Sequence, residues 1–385
     1  MTTYSIVRTS LRAMAHSGRL AVFCALTMGA LAMPALAQIG GAGGVGGLPD
    51  AIVQSPGAFS PDELALIKKY VDDHKAGLGG DSSAISASRK AILRPLRDRA
   101  ASAGFRVAYA DLLVVPVLKD LAKSKDHESA INAARILGEL GTKSSISELL
   151  PILKDERAAV RLVAALGVGR TFDTVRESSQ PALSQSDVAK ALGSIDTAFR
   201  EEQDPEVADA IALGFDSVIK IVEDKIPSVR SDAARRLSGV MQARVKDPKA
   251  TGFGRAFARA SKSLLDAVIN DNANAALSEL ALKEAGGTAG DLLGLVSRRV
   301  TADVPSGIEL EELCQIVAHA EKLFSFSLKK LESGAQVPKL ELDKSLGCGD
   351  APAAPEKFRR DVGQLIAIDG LLTKPPFAFS PDRFK

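Results

Sequence analysis

Twenty-nine residues apart, the chain carries nearly the same segment twice: Asp126–Gly138 is DHESAINAARILG and Asp155–Gly167 is DERAAVRLVAALG. In register, Asp126/Asp155, Ala130/Ala159, Ile131/Val160, Leu137/Leu166 and Gly138/Gly167 match in identity or shape. A second echo supports the first, since Pro116-Val-Leu-Lys-Asp120 returns as Pro151-Ile-Leu-Lys-Asp155. A unit this short cannot bury its own apolar side, but stacked copies can, and a period of this size marks stacked helical hairpins. The expected fold is therefore all-α, a solenoid. Only 4% of the residues are aromatic and none is Trp, as packing through Ala and Leu requires. No alternating run of Val, Ile and Thr is long enough to argue for a sheet.

Helix signals place the units. Ser60-Pro-Asp-Glu63 is a capping box with Pro at the first helical position, and helical spacing then runs to about Leu78. Amphipathic stretches follow over 82–103 and 107–123. Asp126 is expected to cap a helix whose stripe is Ala130, Ala133, Ala134, Leu137 and Leu140, ended by Gly141, with a shorter partner over 145–154. Asp155 opens the next unit, with Ala159, Val163, Leu166 and Val168 on its apolar side. After Arg170 the period slips across a polar stretch to Ser186. Helices are then expected near 187–202, 205–223, 227–246, 251–268, 271–285, 288–299 and 308–332.

The N-terminus has the pattern of an export signal. Arg8, Arg12 and Arg19 precede or flank an apolar run of 14 residues, Leu20–Met33, and Ala35-Leu36-Ala37 suits cleavage before Gln38. Removing 37 of 385 residues leaves 348, with 46 Lys+Arg against 47 Asp+Glu, because three of the 49 basic residues go with the signal. That balance argues against nucleic-acid partners and anionic membrane surfaces. No later apolar stretch is long enough to span a bilayer. Residues 38–57 are expected to be a Gly/Pro-rich flexible linker, and their G-x-G-x-x-G match at Gly41–Gly46 lacks the strand and helix that a dinucleotide site needs. An oxidising compartment makes Cys314 and Cys348 a candidate disulfide.

The D-x-x-x-A-[IV]-…-L-G helix followed by a short L-L-P-I-L-K-D helix resembles the HEAT-repeat family, particularly its short bacterial units. The resemblance is specific over 107–170, extends to 204–246 through Pro227-Ser-Val-Arg-Ser-Asp-Ala-Ala-Arg-Arg-Leu237, and is generic elsewhere. It implies a protein-binding scaffold whose inner layer of helices makes the contacts; some bacterial relatives attach tetrapyrrole chromophores. The solenoid is expected over 58–300 and a C-terminal helical extension and tail over 301–385. In the latter, Leu310, Leu313, Val317, Ala320, Phe324, Leu328 and Leu331 form a stripe suited to capping the solenoid or to pairing with a second copy. Ala58-Phe-Ser-Pro-Asp62 also recurs at Ala378-Phe-Ser-Pro-Asp382.

No constellation of residues amounts to an active site. His74 and His127 read as surface residues, and Cys314, His319 and Cys348 match no zinc spacing. Ser327-Leu-Lys-Lys330 fits S-x-x-K without its companion elements. Adjacent acids such as Asp72-Asp73, Glu201-Glu202 and Glu311-Glu312 point about 100° apart on a helix and read as solvated faces. The basic pairs Arg235-Arg236 and Arg359-Arg360 lack interleaved aromatics. No catalytic residue, metal or cofactor is assigned. The leading expectation is an exported, periplasmic scaffold that binds a protein partner through the short second helices, around Ser147, Glu148 and Lys154. The alternatives are a small-ligand carrier or enzyme with a pocket between Arg170 and Asp204, and a homo-oligomer built through the 310–331 helix.

Overall fold

Short polar side chains set the helix starts, and Asp126 shows how: its carboxylate accepts from the Ser129 amide at 2.7 Å. Residues 47–97, 101–250, 252–270, 275–300 and 307–385 are described in the structure, a computed structural model. The expected signal peptide and linker residues 38–46 lie outside them. The N-terminal part holds α1 (Asp50–Val53), α2 (Pro61–Lys75), α3 (Ser82–Leu93), α4 (Ala103–Leu113) and α5 (Lys119–Ala122). The central hairpins are α6 (His127–Leu140) with α7 (Lys143–Ile152), α8 (Ala158–Glu177) with α9 (Gln185–Glu201), and α10 (Pro205–Ile219) with α11 (Val229–Arg244). Then come α12 (Gly254–Ile269) with α13 (Glu279–Arg299), α14 (Gly307–Leu331), α15 (Leu342–Leu346) and α16 (Pro355–Ile366). The described residues contain no strand.

The helices stack in two layers. First helices α6, α8, α10, α12 and α14 pack each on the next, and second helices α7, α9, α11 and α13 form the other layer, with α16 against α13. The protein is an α-solenoid, and the stacking continues where the sequence period slips. The polar stretch after Arg170 is absorbed by α8 running on to Glu177 and by the turn before α9.

The matched glycines of the repeat explain its spacing. Gly138 of α6 and Gly167 of α8 meet across the first-layer interface, where a Cβ on Gly138 would lie 2.5 Å from the Gly167 Cα. Gly169 and Gly214 bring α8 and α10 together in the same way, though less tightly. The matched aspartates behave differently. Asp155 does not cap α8, because Arg157 takes its carboxylate through Nε and Nη2, both at 2.8 Å. The expected apolar side of α8 holds at Val163 and Val168, which are buried, but not at Ala159 and Leu166, which face solvent (Leu166 is 43% exposed); Val160, Ala164 and Phe172 complete the buried side.

Three further expectations are corrected. Within the linker expected to be flexible over 38–57, Asp50–Val53 is a helical turn with Ile52 and Val53 buried, tied down by Ser102 N donating to the Val53 carbonyl at 2.9 Å. The pieces expected at 271–285 and 288–299 are one helix, α13, which runs straight through Gly286 and Gly287. The 310–331 stripe is not free for a second copy: Leu313, Val317, Ala320 and Phe324 are at most 1% exposed and pack on α12 and α13 of their own chain. Helix α14 thus continues the first layer, and a single apolar core runs from Ile52 to Phe384.

Arginines close many of the helix ends. Arg106 donates to the carbonyls of Leu96 and Glu139, Arg230 to those of Ile219 and Ala267, and Arg244 to those of Arg200 and Glu202. A helix C-terminus presents unpaired carbonyls at the negative end of its dipole, so a guanidinium satisfies both needs. At the C-terminal end, Cys314 of α14 and Cys348 form a disulfide with Cα atoms 5.7 Å apart. Its sequence separation of 34 predicts a contribution of about 3–4 kcal/mol in the chain-entropy model. Urea unfolding of the Cys314→Ser/Cys348→Ser chain should show that loss, and an unchanged midpoint would refute it.

Candidate functional site

In the second-helix layer a groove opens between α7 and α9. Thr142 and Ser184 each make a capping box, so both helices start in fixed registers. From α7 and its C-terminal turn come Ser147, Leu150, Pro151, Leu153 and Lys154; from α9 come Lys190, Gly193, Ser194 and Thr197. Together they line a groove of about 390 Å³. Its floor is apolar, its α9 wall is low because Gly193 and Ser194 are small, and its rim carries two ammonium groups. No carboxylate lines it.

Leu153 and Lys154 also border a second depression of about 320 Å³, in which Asp155, Glu156, Glu201 and Glu202 outnumber Arg161. The opening is therefore polarised, basic along α7–α9 and acidic around the turns that follow. Glu202 is 6% exposed, although its pairing with Glu201 reads in sequence as a solvated face. Burial opposes its ionisation, but Arg161 at 2.8 and 2.9 Å and the amides of Asp204 and Gln203 outweigh that and hold the carboxyl below its ordinary range.

The structure brings Ser147 and Lys154 into the groove and turns Glu148 away from it, toward Lys119 on the preceding repeat at 3.8 Å. Lys154 reaches Glu201 at 3.5 Å with both side chains more than 60% exposed, a pair worth about 0–1 kcal/mol and easily exchanged. Lys190 has no carboxylate within ion-pair distance among the described residues. Lys190, Gly193, Ser194 and Thr197 were missed at the sequence level. Their spacing of three and four places them on one helix face, and a face of small and basic residues was the available signal.

The other candidates resolve as structural. Cys314 and Cys348 are bonded to each other and so offer no thiolate. His319 is half-buried between Ser261 and the Ala258 carbonyl, and burial pulls its pKa down. Ser327 is fully buried inside α14. Arg236 of the basic pair is held by Asp232 at 2.9 Å.

The chain matches no protein-family model and no curated protein. Solved structures that align with it include an engineered protein from the Northeast Structural Genomics Consortium, at 17% identity and a TM-score of 0.37, covering 68% of this chain and 96% of that one. A designed armadillo repeat protein in complex with the peptide (KR)4 aligns at 14% identity and a TM-score of 0.24, over 81% and 99% of the two chains. A second engineered protein aligns at 17% identity and a TM-score of 0.27, over 85% and 95%. None of these scores reaches 0.5, so the fold assignment rests on the helices and their packing.

Proposed function

We propose that this protein is an exported scaffold of the cell envelope that holds an extended segment of a partner protein in the α7–α9 groove. The observation that carries the reading is the groove's lining: two lysines, of which Lys190 is unpaired among the described residues, above an apolar floor with hydroxyls from Ser147, Ser194 and Thr197. Such a surface complements a segment with carboxylates over the α7–α9 half and a basic residue over the acidic half. Export is supported by the basic, apolar and small-residue pattern of residues 1–37.

The test is cross-linking of the tagged full chain in its native envelope fraction, compared with the Lys154→Glu/Lys190→Glu variant at equal abundance. The reading expects one partner in near-equal amount with the unsubstituted chain and about tenfold less with the variant. Equal recovery from both would refute the groove assignment. A preparation carrying a stoichiometric small molecule and no partner would refute the scaffold role itself.

A further inference from the structure

The residues that form the α7 wall of the groove have counterparts one repeat earlier. Aligned on Pro116 and Pro151, Leu112, Val115, Pro116 and Lys119 of α4–α5 correspond to Ser147, Leu150, Pro151 and Lys154 of α7. The four α7 residues line the α7–α9 groove, and the element α4–α5 packs against α7. The lysines repeat a contact as well as a sequence: Lys119 reaches Glu148 on α7 at 3.8 Å, as Lys154 reaches Glu201 on α9 at 3.5 Å. A solenoid presents equivalent residues at successive steps of one extended surface. The α4–α5 face is thus the step that precedes the groove.

The two steps offer different chemistry. Val114–Leu118 forms a π-helical turn around Pro116, which has no N–H to give the turn before it. Such turns are rare and occur frequently at functional sites. Val115 stands on this one 71% exposed, whereas its counterpart Leu150 is half-buried in the groove. Pro116 beside it is exposed, and Leu112 is half-buried against the core where α7 has the hydroxyl of Ser147. Asp111 and Asp120, both exposed, flank this apolar face. A carboxylate is repelled there, and an apolar side chain is not.

We propose that the face formed by Leu112, Val115 and Pro116 seats an apolar side chain of the same partner segment whose acidic part lies in the α7–α9 groove. This inference rests on the scaffold reading above and narrows the partner's chemistry. Neighbouring helix axes lie about 8–10 Å apart, and an extended chain advances about 3.3 Å per residue. The partner is therefore an extended segment with a large apolar residue about three positions from the carboxylate that meets Lys154 and Lys190. Against Val115 and Pro116 that side chain leaves water, and binding gains in proportion to the apolar area covered.

The experiment is fluorescence anisotropy of the full chain with a labelled peptide of two central aspartates, flanked on each side by two serines and then a phenylalanine. The symmetric sequence serves either chain direction. A second peptide carries serine in place of both phenylalanines. The unsubstituted chain is expected to bind the first at least about tenfold more tightly than the second. Val115→Asp, at an exposed position whose replacement leaves the fold intact, should bind both alike. Lys154→Glu/Lys190→Glu should weaken both peptides. If the unsubstituted chain binds both equally and the double variant binds neither, the groove reading stands and the apolar seat is overturned. A Val115→Asp chain that keeps the tenfold preference also overturns it. If the unsubstituted chain binds neither peptide, both readings fall.

Discussion

Replacing Gly138 with alanine is expected to destabilise the protein by about 2 kcal/mol, although alanine is the better helix former by about 1 kcal/mol. The new Cβ would sit 2.5 Å from the Gly167 Cα and 2.9 Å from its carbonyl oxygen. Both obstacles are backbone atoms of a buried helix, so no rotamer change relieves the clash, and α6 and α8 must separate. Separation opens space around Ala134 and Leu137, which are 0% exposed, and dispersion contacts are lost on both sides. The control is Gly363→Ala in α16, where a Cβ meets nothing within 4 Å and the helix propensity term should act alone. Thermal melting of the two variants should therefore move in opposite directions. A Gly138→Ala chain that melts at or above the unsubstituted temperature would show that the first-layer contact is not close.

Arg230→Met should cost about 3 kcal/mol, the larger of the two effects. Arg230 is 3% exposed; its Nη1 donates to the Ile219 carbonyl at 2.7 Å and its Nη2 to the Ala267 carbonyl at 3.2 Å. Those carbonyls end α10 and α12, so one side chain closes two consecutive first-layer helices. Methionine keeps much of the volume but leaves both acceptors unpaired away from water, at about 1–3 kcal/mol each. Part of that loss is returned because a buried guanidinium is no longer desolvated: burial already pulls the Arg230 pKa down, only partly countered by Glu223. Arg235→Met, on an exposed position of the same helix, should stay within about 0.5 kcal/mol. Urea unfolding of both variants checks the contrast, and equal midpoints would remove the capping role from Arg230.

The contrast between Arg230 and Arg235 shows where sequence reading stops. Both arginines lie in one helical pattern, and nothing local distinguishes the one that caps two neighbours from the one in solvent. The same holds for Glu202, whose burial comes from Arg161 forty-one residues away. In the candidate groove, Ser147 and Lys154 were legible because they belong to the repeated short helix. Lys190, Gly193, Ser194 and Thr197 were not, because a groove needs two helices and the sequence shows one at a time.

What the sequence determined by itself is the all-helical class, the hairpin unit and most helix starts, while Cys314 and Cys348 were only a candidate pair that the structure shows bonded. Each follows from local chemistry or from short-range periodicity: caps within three residues, and apolar side chains every three or four. Only the tertiary structure decided that the stacking runs unbroken past Arg170, that the 310–331 stripe is spent within its own chain, and that α13 survives four glycines. The physical reason is common to all three. A helix that is weak or irregular by propensity is stabilised by what packs on it, and for α13 that cover is a tail more than seventy residues further along the chain.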